Sequence, residues 1–329
     1  MNKSHRLIPV LLLAAISFTA CTNRATETGD RIPVIFDTDA NNELDDQHAL
    51  AYLLLNPDVF EPVGITVNAT RNGGEIGEHV KEAERIVSLC GMEGKVQVLK
   101  GANGGFVEIR DHIGEPSFDG HAAVDFIIRE AMKERERTLV LLPVGKLTNV
   151  ALALMKEPAV AERVRVVWLG SNYPWKGEYN LDNDIPSMEY VLQTGVPFEI
   201  VTVRGGKPSG TAAVKVTRDE IFEKMPGLGP IAAEPVTGRH GGEFTCFGDY
   251  SVSLFKHTKY FGEGDTRSLF DMAAVAIVKD PSWADASEIP CPVYADTAWV
   301  EQPDNPRKVV IWENFDKEGI LADFYATFE

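Results

Sequence analysis

Short apolar runs alternate with amphipathic stretches along most of the chain. Residues 32–36 (IPVIF) form a continuous apolar run of strand length, and residues 44–55 (LDDQHALAYLLL) continue at helical spacing until Asn56-Pro57 ends the pattern. The alternation then repeats. Strands are expected at 62–67 (PVGITV), 95–99 (KVQVL), 138–144 (TLVLLPV), 163–170 (RVRVVWLG) and 197–203 (PFEIVTV). Helices are expected at 75–89, 121–133, 147–155 and 269–278. This order predicts an α/β fold, with a mostly parallel central sheet covered by helices on both faces. Residues 207–265 are rich in Gly and Pro and read as helical insertions and loops over the sheet edge, and two late apolar runs follow at 291–300 and 308–312. No internal repeat or linker interrupts residues 31–329, which read as one domain.

The first thirty residues break this pattern. MNKSHR is basic, LIPVLLLAAISF is an apolar run short for a bilayer, and small residues lead up to Cys21. This end resembles a bacterial lipoprotein signal over residues 1–20, followed by a polar tether over 21–30. Cys21 would carry the lipid, and the protein would be anchored outside the cytoplasm on a periplasmic or outer-membrane face. An ordinary cleaved secretory signal is the competing reading. The other cysteines, Cys90, Cys246 and Cys291, are odd in number and widely spaced; they predict small buried residues rather than disulfides or a zinc site. A net charge of −17 argues against nucleic acid and anionic lipid surfaces as partners, since both need basic patches.

The chemistry concentrates where the first strand meets the first helix. DTDANNELDD puts carboxylates at Asp37, Asp39, Glu43, Asp45 and Asp46, and like charges so close cost energy unless something positive sits among them. Open parallel sheets bind ligands at the carboxyl ends of their strands, where Asn68, Val144, Ser171 and Asn172 also fall. Three explanations compete. Helix capping accounts for one or two acids. An Asp-x-Asp after a first strand also occurs in haloacid-dehalogenase-like phosphoryl-transfer enzymes, but here Ala40-Asn41-Asn42 follows instead of a small Gly-Thr-like pair. A hard divalent cation such as Ca²⁺, which takes six to eight oxygens, is the third.

Four ordered segments carry a resemblance. Asp37-Thr38-Asp39 followed by Asp45-Asp46 resembles the Asp-x-Asp-Pro-Gly-x-Asp-Asp signature of the inosine–uridine nucleoside hydrolases, with a loop two residues longer and the Pro-Gly replaced. VGKLTNVALAL (144–154), GEYNLDNDIPS (177–187) and LFDMAAVAIVKDP (269–281) resemble later segments of that family. The resemblance implies a Rossmann-like fold and hydrolysis of the N-glycosidic bond of a ribonucleoside or related ribosyl compound. It implies Ca²⁺ held by Asp39, Asp46, Asp271 and the carbonyl of Val144, with Asp39 also the general base towards water. Asp45 would bond the ribose 2′-hydroxyl, Glu178, Asn180 and Asn68 the other sugar hydroxyls, and Asn172 the 5′-hydroxyl side. It further implies a homo-oligomer acting on a small molecule.

One position departs from the pattern. Phe270 stands where the family commonly has a His that protonates the leaving base, and a phenyl ring donates no proton. His240, Asp249, Tyr250 and Trp175 are candidates to activate the leaving group instead. A non-catalytic sugar- or nucleoside-binding lipoprotein that lost this chemistry is therefore the alternative function.

Overall fold

The computed structural model describes residues 31–262 and 264–329; the expected signal, tether and Cys21 lie outside them. In chain order the elements are β1 Ile32–Thr38, α1 Asp45–Leu54, β2 Phe60–Val67, α2 Ile76–Leu89, β3 Val98–Lys100, α3 Phe106–Ile109, α4 His121–Ala131, β4 Leu139–Pro143 and α5 Thr148–Lys156. Next come β5 Val164–Leu169, α6 Tyr179–Asn183, α7 Ile185–Gln193, β6 Phe198–Val201, β7 Lys215–Thr217 and α8 Arg218–Lys224. The remainder is β8 Val236–Thr237, β9 Glu243–Phe244, α9 Phe247–Lys256, β10 Thr266–Ser268, α10 Phe270–Lys279, β11 Asp285–Pro290, β12 Val293–Ala295, β13 Ala298–Val300, β14 Lys308–Glu313 and α11 Lys317–Phe328. None of the described helices is long and apolar enough to cross a membrane.

Eight of the described strands form one sheet in the order β11-β14-β6-β5-β4-β1-β2-β3, parallel throughout except for the β11–β14 pair at one edge. Side chains alternate between two cores. Val34 and Phe36 of β1, with Val140 and Leu142 of β4, pack on one face, where α1, α2, α10 and α11 lie. Ile35, Leu139 and Leu141 point to the other face, against α4, α5 and α7. Strands buried on both sides lose the hydrophobic–polar alternation, which is why β1 and β4 read as unbroken apolar runs. The buried cysteines Cys90, Cys246 and Cys291 are free thiols.

Strand order reverses at β1. The chain runs outward through β2 and β3, then returns to place β4 on the opposite side of β1. This opens a crevice above the carboxyl ends of β1 and β4, the usual ligand site of such sheets. The 207–265 region bears out the expectation of helices and loops: it supplies α8 and α9 with short two-stranded ladders. The third strand begins three residues later than its pattern suggests, because a turn in which Lys95 and Val96 donate to the Met92 carbonyl consumes the start of KVQVL.

A polar wedge fastens the crevice from beneath. Asn149 of α5 donates to Asp37 at 2.8 Å and to the Val67 carbonyl at 3.1 Å, while its own oxygen accepts from Ala102 at 2.9 Å. Gly101 lets the chain pass beside this wedge: a Cβ there would lie 2.1 Å from the Val67 oxygen and 2.4 Å from the Asn149 amide nitrogen. Gly101→Ala is therefore expected to cost about 1–3 kcal/mol by overpacking, read as a lower urea midpoint at constant m. Gly77→Ala in α2, whose Cβ would meet nothing within 4 Å, should stay within about 1 kcal/mol of the parent on the stabilising side. Equal midpoints for the two variants would contradict this view of the wedge.

Candidate active site

The loop after β1 and the helix it enters set the first acids. Asp45 and Asp46 occupy the first turn of α1, which begins without a side-chain cap, and Asp271 occupies the first turn of α10. Both helix N-termini carry partial positive charge that favours carboxylates. One oxygen each from Asp45, Asp46 and Asp271 lie within 4.8 Å of one another, and all three side chains are buried. They share a cavity of about 220 Å³ with Asp39, Asn42, Glu43, Val144, Asn172, Glu178, Tyr179, Asn180, Gly205 and Phe270.

Each predicted residue can be located in this frame. Asp39 lines the cavity and accepts a hydrogen bond from the Thr70 hydroxyl, which Tyr179 contacts in turn at 3.2 Å. Thr38 donates to Asp46. Asn180 donates to the carbonyls of Val144 at 2.8 Å and Leu169 at 3.0 Å, which leaves its oxygen for other partners. Glu178 caps α6, with one carboxylate oxygen accepting from Ser171 and Leu181. Asn172 lines the cavity but is tied to its own loop, donating to Gly177 and accepting from Gly205. Asn68 lies one layer below, donating to Asp37; Gly145 gives it room, since a Cβ there would sit 2.9 Å from the Asn68 amide and 3.0 Å from Asp39.

The structure groups the acids differently from the resemblance in one respect. Asp45, expected on the sugar, joins Asp46 and Asp271 in the tightest cluster, and Asp39 flanks them. Asp37, first of the five acids, is a structural hub that accepts from Thr66, Asn68 and Asn149. The proposed substitutes for the missing His fare worse. His240 stacks on His257 in a neighbouring cavity, Asp249 caps the backbone at Gly227, Tyr250 donates to buried Glu82, and Trp175 stands 47% exposed under Arg204 and Lys207. None of the four lines the acidic cavity. Thr38, Thr70 and Tyr179 are contacts that sequence reasoning missed, because nothing in a lone Thr or Tyr marks it as the partner of a distant acid.

Electrostatics follow from burial. Asp37 is pushed up to about 6 by burial despite its three donors, and Asp45 to about 7 by burial and the charges of Asp39 and Glu178. Burial raises Asp39, against the Thr70 hydrogen bond, and it raises Glu178 against three backbone donors. Asp46 and Asp271 stand well above the carboxylate range through burial and one another's neighbours among the acids. A hard divalent cation fits this donor set. The ligand atoms are oxygens, they repel one another, and the cavity-lining Asn42 Oδ1 and the nearby Asn68 Oδ1 are buried acceptors without a donor.

The family model described as inosine-uridine preferring nucleoside hydrolase matches residues 34–322. The chain belongs to that family. Among curated relatives, a probable uridine nucleosidase 2 of Oryza sativa is 29% identical over 53% of this chain and 58% of its own length. A pyrimidine-specific ribonucleoside hydrolase RihA of Shewanella woodyi is 26% identical over 50% of this chain and 58% of its own. The matched stretch thus spans little more than half of these relatives. The fold is shared with a purine-preferring ribonucleoside hydrolase from Gardnerella vaginalis, at TM-score 0.68 and 20% identity over 90% of this chain and 98% of that one.

The raised carboxyls predict a pH effect on the chelator-treated protein. A group whose folded pKa exceeds its unfolded value of about 4 holds its proton more tightly when folded. Its stabilising contribution is complete below about pH 4 and is lost as pH rises through the folded value. For Asp45 the window runs up to about 7. Buried His48, lowered to about 4 by burial, works the opposite way, its contribution fading as pH falls from about 6.5. The difference between parent and Asp45→Asn removes that background: the parent should lose stability relative to the variant across this window, and parallel curves would contradict the assignment.

Proposed function

We propose that the chain hydrolyses the N-glycosidic bond of ribonucleosides or related ribosyl compounds with Ca²⁺ bound at the acidic cluster. The observation that carries this reading is the convergence of Asp39, Asp45, Asp46, Asp271 and Glu178 on one cavity at the strand switch point. Asp46 and Asp271 belong both to the clustered triad and to the ligand set implied by family resemblance; Asp45, Asp39 and the Val144 carbonyl complete the choice of oxygens. When bound, the cation supplies the positive charge that lets these acids ionise together and polarises water towards a nucleophile near neutral pH.

The chain's own residues perform the remaining work. Asp39, oriented by Thr70, takes the proton of the attacking water. The Thr70 hydroxyl fixes the carboxylate in place, which leaves Asp39 free to receive that proton without reorganisation. Bond cleavage leaves positive charge on the sugar's anomeric carbon and ring oxygen. Carboxylates fixed around that point stabilise the transition state more than the neutral substrate, which raises turnover. Asn180 and Glu178, held by backbone contacts, present their remaining oxygens to sugar hydroxyls.

Anchoring through Cys21 at an extracytoplasmic membrane face, and assembly into a homo-oligomer, complete the proposal; scavenging of nucleosides would be the purpose. Phe270 favours the second reading, a binder of nucleosides or sugars that lacks turnover, since it lines the cavity where a proton donor would stand. A nitrophenyl riboside needs no acid and separates the two. Ribose release from it, from uridine or from inosine is expected with Ca²⁺ and should disappear under chelator. Asp39→Asn should lower the rate by about a hundredfold to ten-thousandfold with an unchanged circular dichroism spectrum. Undiminished activity in that variant would remove Asp39 as the base, and no sugar from any substrate would favour the binder.

A further inference from the structure

A second cavity of about 370 Å³ opens beside the acidic one, and Glu43, Gly205 and Phe270 line both. The shared wall therefore contains the position where the resemblance implies a proton donor. The second chamber is less acidic and more apolar: Phe261, Phe270 and Ala212 line it, Lys215 and Arg267 bring the positive charge, and Glu43 is its one carboxylate.

Arg267 is the informative residue. It lies in β10, opposite Val216 of β7, and is 3% exposed. One guanidinium nitrogen donates to the Lys259 carbonyl at 3.0 Å, another pairs with Glu43, and Nε has no partner. Burying a guanidinium is costly unless its donors are satisfied. The single ion pair is with a side chain left 42% exposed, so Glu43 is a partner that can exchange. Glu43 sits in the loop that is two residues longer than the family signature, so that loop delivers an acid to the junction of the two chambers. A purely structural ion pair would tether the loop equally well, but it would need no adjoining cavity.

We propose that this chamber holds the leaving group and that Arg267 is a specificity-determining residue selecting an oxo-base that departs as an anion. The inference rests on the N-ribosyl hydrolysis reading. As the bond from the anomeric carbon to nitrogen breaks, its electron pair stays on the leaving nitrogen and spreads to the ring carbonyl oxygens. The water oxygen forms the new bond to carbon, its proton goes to Asp39, and the departing anion takes a proton from solvent. A guanidinium offers planar paired donors to such oxygens. The charge it meets develops only during cleavage, so it favours the transition state over the substrate. A fixed cation thus takes the place of the acid that Phe270 cannot be, while Glu43 gives up its pairing to the incoming anion.

The test uses the full chain with Ca²⁺ and two probes: barbiturate, an anionic oxo-pyrimidine at neutral pH, and cytosine, a neutral amino-pyrimidine. Calorimetry should show tighter binding of barbiturate to the parent. Arg267→Gln should weaken barbiturate by about tenfold to a hundredfold, Arg267→Lys should recover part of the loss, and cytosine should change by less than about threefold. Turnover of uridine should fall in Arg267→Gln far more than turnover of the nitrophenyl riboside, whose leaving group needs little help. Lys215→Gln, at an exposed position, provides a milder version of the same loss should Arg267→Gln fail to fold. Equal binding of the two probes by the parent, or an equal loss of both substrates in Arg267→Gln, would overturn the proposal. Hydrolysis without barbiturate preference sinks this inference alone, whereas Arg267-dependent barbiturate binding without any hydrolysis sinks the hydrolase reading.

Discussion

Mutual repulsion among buried carboxylates is the constraint around which this molecule is organised. Buried Asp45, Asp46 and Asp271 are drawn within 4.8 Å of one another, with Asp39 alongside, on the wall of one cavity. Burial and like charge both oppose ionisation of such a cluster, so it costs folding energy that packing does not return. The fold supplies partial relief through two helix N-termini and through the hydroxyls of Thr38 and Thr70. The remaining repulsion is relieved either by protons, which the raised carboxyls hold, or by a cation among the ionised acids.

The sheet topology explains why the acids meet at all. Residues 37–46 and Asp271 are more than two hundred positions apart, yet β1 lies at the point where strand order reverses and α10 packs against α1. Asp37 contributes by bonding to Thr66, Asn68 and Asn149, which ties β1 to β2 and to α5 below the cavity floor. Structure and chemistry are thereby divided between two aspartates only two residues apart. Asp37 holds the strands; Asp39 faces the cavity.

Sequence pattern reached most of this arrangement because the relevant signals are local. The apolar runs of β1 and β4, the acids beside the first strand and the helix beginning at Phe270 each announce themselves within a dozen residues. What escaped was either short or distant. Helix α7 begins with Ile185-Pro186, which reads as a loop although Pro suits a first helical turn. The edge strand β11 (DASEIP) is mostly exposed and so carries no apolar stripe. The partners Thr70 and Tyr179 of Asp39, and the pairing of Arg267 with Glu43, depend on contacts across the fold that no spacing rule encodes. The substitutes suggested for the absent His failed for the same reason: a Gly-rich loop gives no hint of the direction its side chains face.

Calcium titration of the chelator-treated protein, followed by calorimetry at several pH values, addresses the central claim most directly. One ion per chain should bind, its affinity should weaken as pH falls below about 7 because protons compete for the same oxygens, and Asp271→Asn should weaken it sharply. Absence of binding, or binding that neither pH nor Asp271→Asn alters, would show that the acids are neutralised in some other way.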